Sequence, residues 1–133
     1  DVGLAFPNAI AVVKACCDNA LQLGLPEGRL ALAQAVVYLA TLPKSNSAHD
    51  AYFAALEDVK SGKGQHMPDY IRDSMQPSAN KNAAYVYPHP YPNHYYPQQY
   101  LPDDIKDHVY YEFADNKTEQ AAKEYWKKVK GKN

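Results

Sequence analysis

Three features of the sequence predict a mainly α fold, in which a compact helical bundle carries a long Pro/Tyr-rich irregular arm and a C-terminal helix. Apolar residues recur at spacings of three and four through the first half of the chain, as one face of a helix requires. Residues 85–101 hold six tyrosines and four prolines in seventeen positions, a density that neither a helix nor a central strand tolerates. Beyond them, Asn116-x-x-Glu119 has the pattern of a capping box and is followed by apolar positions at helical spacing.

Taken in order, Phe6-Pro7 opens the first helix, because proline at the first helical position lacks only an N–H that would be unpaired anyway. Ile10, Val13, Cys17 and Leu21 form its apolar stripe, Lys14, Asp18 and Gln22 a polar row, and Gly24 ends it. The central helix, between Arg29 and Pro43, has only Gln34, Tyr38 and Thr41 with a polar side-chain atom. A helix apolar nearly all round belongs in the middle of a bundle with neighbours on several sides. At 13 residues it is too short for a bilayer, which needs roughly 20. Pro43 stops it, and Asn46 or Ser47 caps a third helix with the stripe Ala48, Tyr52, Ala55 and Val59, flanked by Phe53 and Leu56. That helix runs into Ser61-Gly-Lys-Gly64, and Met67-Pro68 starts a short fourth helix toward Met75. His108-Val-Tyr-Tyr-Glu-Phe113 reads as a lone extended segment, and Ala122, Tyr125, Trp126 and Val129 mark the apolar face of the last helix. The expected organisation is one domain, 1–133, with a helical core over about 7–76, the arm over about 77–104, and the extended segment and helix over about 108–130.

Fourteen basic and fifteen acidic residues give a net charge of −1, which argues against a surface devoted throughout to nucleic acid or anionic lipid. The balance is uneven, with six Lys against two Glu from Lys117 to Lys132. Cys16 and Cys17 are adjacent, and Cα atoms about 3.8 Å apart fall short of the roughly 4.4–6.8 Å usual for a disulfide. They read as small packing residues. Without a signal peptide or transmembrane run, a cytoplasmic location is expected, and the start at Asp1 reads as a piece of a larger protein.

The arm admits three uses. Its rings can stack on single-stranded bases, although 82–101 contains no Lys or Arg. It can serve a proline-recognising domain. Or it is an ordered arm strapped over the bundle or a neighbouring subunit, rings on apolar surface and hydroxyls at water or backbone, which is the favoured reading. Tyr85, Tyr87, Tyr91, Tyr95, Tyr96, Tyr100 and Trp126 are then the candidate oligomer contacts. Lys127, Lys128, Lys130 and Lys132 are either a solvated helix end or a contact for DNA phosphates. His89, His94, Asp103 and Asp104 lack the spacing of a metal site. Gly62-Lys63-Gly64 lacks the strand-to-helix context of a phosphate cradle, and no HExxH or GxSxG occurs. No catalytic, cofactor or metal residue is assigned.

The run Leu25-Pro-Glu-Gly-Arg29, Leu32-Ala-Gln-Ala35, Tyr38-Leu-Ala40 and Pro43-Lys-Ser-Asn46 resembles the C-terminal region of the replication-associated recombination protein A family. Asp1-Val-Gly-Leu-Ala5 with Pro7, Tyr87-Pro-His89, Gln99-Tyr-Leu-Pro-Asp103 and Tyr110-Tyr-Glu112 continue the likeness in order along almost the whole chain. The family, which includes the Werner-helicase-interacting proteins, consists of AAA+ ATPases related to clamp loaders. The resemblance implies a helical region that assembles the ATPase into a homotetramer. It also implies a parent that uses ATP and Mg in an N-terminal module and works with DNA and replication-fork proteins, nucleoid-associated in a bacterium. The alternative is a DNA-binding or replication-protein-docking module using the Lys-rich end and the Tyr-rich arm.

Overall fold

Small residues bring the first two helices together. In the computed structural model, which describes residues 1–71 and 85–131, α1 (Ala9–Leu23) packs on α2 (Gly28–Thr41). A Cβ at Gly28 would come within 2.7 Å of the Ala20 carbonyl oxygen and 3.0 Å of its Cα, so only glycine permits this approach. Ala9, Cys16, Gly28 and Ala35 are the buried residues of the pair. Gly24 closes α1 at φ 71° with its N–H on the Ala20 carbonyl, as its sequence position predicts. α1 begins at Ala9, two residues after Pro7.

α3 (Ser47–Lys60) and α4 (Lys117–Val129) complete the regular structure, and single 3₁₀ turns occupy Gly3–Ala5, Asp69–Ile71, Pro92–His94 and Asp103–Ile105. The fold is mainly α, as expected, with no strand among the described residues. Residues 106–116 between the last 3₁₀ turn and α4 carry neither helix nor strand. The expected fourth helix is represented by the turn Asp69–Ile71, and its continuation toward Met75 lies outside the described residues. No helix among them is long and apolar enough to cross a membrane.

The chain divides into two compact units. The first holds Asp1–His49 and Tyr111–Ala122, and the second holds the described residues of 50–110 and those from Lys123 onward. In the first, Val2, Ala5, Ala9, Cys16 and Ala35 form a small core. In the second, Ile105 is buried, its Cδ1 beside the turn glycine Gly64.

The periodicity predicts the helices correctly and their covered faces poorly. On α1 the buried line passes through Ala9 and Cys16, while Ile10 (81 %) and Leu21 (82 %) of the predicted stripe are exposed. α2 is not surrounded: Gly28 and Ala35 are buried, whereas Leu30, Val36 and Val37 are exposed. α3 has no buried residue, and Tyr52 and Val59 of its expected stripe are open, as is the flanking Phe53. The reason is close packing. Two helices approach most nearly where their side chains are smallest, so the alanines and Gly28 meet and the branched side chains point elsewhere.

Candidate functional site

In the first unit the polar centre is Glu119, 2 % exposed. Asn116 precedes α4 as its N-cap, and its Oδ1 accepts the Glu119 backbone N–H at 2.9 Å, the predicted half of a capping box. The Glu119 carboxylate turns inward and accepts the hydroxyls of Ser45 (2.6 Å), Ser47 (2.5 Å) and Tyr111 (2.7 Å), together with the Asn116 amide. Burial alone would push this carboxyl up, but the hydrogen bonds from Ser45, Ser47, Tyr111 and Asn116 outweigh it and hold the pKa at about 2. Burial and the bond to Glu119 push the Tyr111 hydroxyl up to about 12. Sequence reasoning assigns Ser47 and Asn116 to helix ends and misses their convergence with Ser45 on Glu119. The available signal was a carboxylate in a capping box with two serines at a helix start.

The same unit presents its apolar surface outward. Besides Ile10 and Leu21, Leu25 (79 %), Leu30 (74 %), Val36 (66 %) and Val37 (62 %) are exposed, all on α1, α2 and the turn joining them. Beside Ile10 opens a groove of about 530 Å³ whose apolar lining includes Val2, Phe6, Pro7, Val13 and Leu39. The Phe6 ring meets Tyr38 edge-on at 6.1 Å.

In the second unit the arm is held by its own polar groups. The Gln98 side chain grips the Val86 backbone at both ends, accepting its N–H at 3.1 Å and donating to its carbonyl at 2.7 Å. It also donates to the Tyr100 hydroxyl at 2.9 Å, and Tyr70 donates to the Gln99 carbonyl. Of the seven candidate rings, Tyr95 meets Trp126 edge-on at 6.1 Å and Tyr91 meets Tyr96 at 4.7 Å, while Tyr87 lies on His89, which in turn meets His94 at 5.0 Å. Tyr85, Tyr87, Tyr91, Tyr100 and Trp126 are exposed, and Tyr95 and Tyr96 half-buried. Tyr95, Tyr100 and Trp126 share a cleft of about 510 Å³ with Gln98, Lys106 and Lys130. Lys130 Nζ stands 5.6 Å from the Trp126 ring centroid, a cation–π arrangement. Of the other candidate lysines, Lys127 lies 3.5 Å from Glu124, Lys128 is exposed, and Lys132 is outside the described residues.

A second carboxylate ties this unit together. Asp58 Oδ2 accepts the Tyr110 hydroxyl at 2.7 Å and lies 2.7 Å from His108 Nδ1, while Oδ1 is 3.2 Å from Lys63 Nζ. The Tyr110 bond, then those of His108 and Lys63, hold its pKa at about 2, and Asp58 in turn pushes Tyr110 up to about 12. The Gly62–Gly64 loop thus turns its lysine to Asp58 and the Gly64 N–H to Asp104 Oδ2 at 2.9 Å. These groups anchor chain segments to each other. No three His, Cys, Asp or Glu side chains gather as metal ligands among the described residues.

The comparisons agree with the resemblance read from the sequence. The family described as MgsA AAA+ ATPase C terminal matches residues 1–130. Replication-associated recombination protein A of Bacillus subtilis is 39 % identical over 97 % of this chain, which spans 32 % of that protein. The protein of the same name in Escherichia coli K12 is 36 % identical over 84 % of the chain and 26 % of its own length. An AAA domain-containing protein of Mycobacterium tuberculosis is 39 % identical over 84 % of the chain and 25 % of its own length. The chain therefore spans a third or less of these relatives. With a family match over residues 1–130, it belongs to the family of MgsA AAA+ ATPase C-terminal domains.

Proposed function

We propose that this chain is a C-terminal oligomerisation domain that gathers its parent AAA+ ATPase into a homotetramer. The observation that carries this is the apolar surface of α1, α2 and the turn joining them, where six large aliphatic side chains are between 62 % and 82 % exposed. Soluble monomers seldom expose a contiguous apolar patch beyond a few hundred Å². Copies of the same chain bring the same surface to each other, and closed symmetry with D2 tetramers is a usual outcome. Tyr85, Tyr87 and Tyr91, open on the arm, are further subunit contacts. The parent, through ATP and Mg held outside this chain, acts as a DNA-dependent ATPase in replication, recombination and repair at stalled forks, in the cytoplasm or on the nucleoid. The names of the relatives and the family match support this part.

Light scattering after size-exclusion chromatography tests the assembly. The 133-residue chain is expected at the mass of four copies. Leu30→Glu with Val37→Glu is expected to give a single-chain mass with helical circular dichroism retained. A single-chain mass for the wild type across a hundredfold dilution would refute it.

A second reading, in which the chain itself touches DNA or a replication protein through its Lys-rich end and Tyr-rich arm, is favoured by one observation. The arm has no cation of its own from residue 85 to 101, yet Lys106 and Lys130 line the cleft beside its rings.

A further inference from the structure

Resting on that second reading, we propose that the cleft in the second unit binds single-stranded nucleic acid, a base lying on the Tyr100 or Trp126 ring while Lys106 and Lys130 hold its phosphates. Nonspecific single-strand sites combine two elements, aromatic faces and a cationic path for the backbone. Taken alone, the sequence of the arm offers only the first. The fold adds the second, because Lys106 from the turn after Asp103–Ile105 and Lys130 from just beyond α4 stand in the cleft with Tyr95, Tyr100 and Trp126.

The rings are both open and fixed. Tyr100 is 46 % and Trp126 44 % exposed, so each retains surface for a ligand. Tyr95 braces Trp126 edge-on at 78°, and Gln98 ties the Tyr100 hydroxyl to the Val86 backbone, so ordering these rings adds little further cost on binding. None of the lining side chains is acidic. Asp103 and Asp104, just before the Lys106 turn, accept the Gln99 amide at 2.7 Å and the Gly64 N–H at 2.9 Å, and neither lines the cleft. The volume of about 510 Å³ lies within the range of roughly 300–1,000 Å³ for clefts that take small ligands, so one or two nucleotides would enter and the strand would continue outside. Two cations alone would suit an acidic peptide equally well. The open aromatic faces favour a ligand with flat rings to offer, and a duplex keeps its base faces inside its own stack.

Trp126 is the only tryptophan, so its emission reports on the cleft directly. A ten-nucleotide oligothymidylate, titrated at low salt into the 133-residue chain, is expected to quench that emission saturably. Tyr100→Leu is expected to weaken binding on the order of 10-fold, and Tyr100→Phe, which keeps the ring, to retain it. Lys106→Gln with Lys130→Gln is expected to lower the slope of log affinity against log salt by about 1.4, while Lys14→Gln in the first unit leaves it unchanged. Circular dichroism on each variant confirms folding. Equal binding of an abasic strand, of a duplex of equal charge or of polyglutamate would overturn the proposal, as would binding without a change in emission. Binding that persists in all the cleft variants would remove the site and leave DNA contact standing elsewhere on the chain. Absence of any binding would remove both.

Discussion

Glu119→Gln should destabilise the first unit far more than the loss of one charge on a surface helix would. Oε1 accepts the Ser47 and Tyr111 hydroxyls and, at 3.4 Å, the Ala114 N–H, while Oε2 accepts the Ser45 hydroxyl and the Asn116 amide. Hydroxyls can rotate, but amide N–H groups cannot become acceptors. Whichever oxygen the glutamine NH₂ replaces, it therefore faces Ala114 or Asn116, donor against donor. A net hydrogen bond to a charged group contributes about 1.5–3 kcal/mol, and losing the charge with one such confrontation gives an expected loss of about 2–3 kcal/mol. The lowered pKa of Glu119 points the same way. A displacement from 4.5 to about 2 corresponds to about 3 kcal/mol, discounted to about 2 for the thin cover of a small unit. Because the folded pKa lies below the unfolded one, this stabilisation is fully present above about pH 4.5 and disappears as pH falls toward 2. Urea unfolding at pH 7 and pH 3, at fixed protein concentration, is the assay. The difference between wild type and variant should be about 2–3 kcal/mol at pH 7 and roughly halved at pH 3. An unchanged midpoint at pH 7, or a difference indifferent to acid, would refute the reasoning.

Gly28→Ala improves intrinsic helix propensity, yet its Cβ would fall 2.7 Å from the Ala20 carbonyl oxygen, so a net loss of about 1–3 kcal/mol is expected in thermal melts. Asp58→Asn should let the Tyr110 hydroxyl fall from about 12 toward 10, read by NMR of ring-labelled tyrosine at rising pH. The stabilisation from ionised Asp58, whose folded pKa is about 2 against an ordinary 3.8, is present above pH 3.8 and lost as pH falls through 2, and this acid-side loss should be absent in Asp58→Asn. The chain alone should release no phosphate from ATP, measured by a coupled phosphate assay, since its Gly62–Gly64 loop is turned to Asp58 and Asp104.

Local rules acting over a few residues were legible in the sequence. Gly24 ends α1 because a left-handed residue is needed there, Asn116 caps α4, and the prolines of 85–101 exclude a long helix, each readable without knowing what lies nearby. Family membership was legible for the same reason, since ordered motifs survive in the sequence itself. Only the tertiary structure decided which apolar residues are covered. Periodicity places Ile10 and Leu21 on one face of α1, but the helices meet through Ala20 and Gly28, and that preference depends on the pair. Tertiary structure also joined Glu119 to Ser45 and Ser47, more than seventy positions earlier, and brought Lys130 beside the rings of a lysine-free arm. No spacing rule reaches across such separations. A buried carboxylate must find donors, and an exposed ring a partner, wherever the folded backbone provides them.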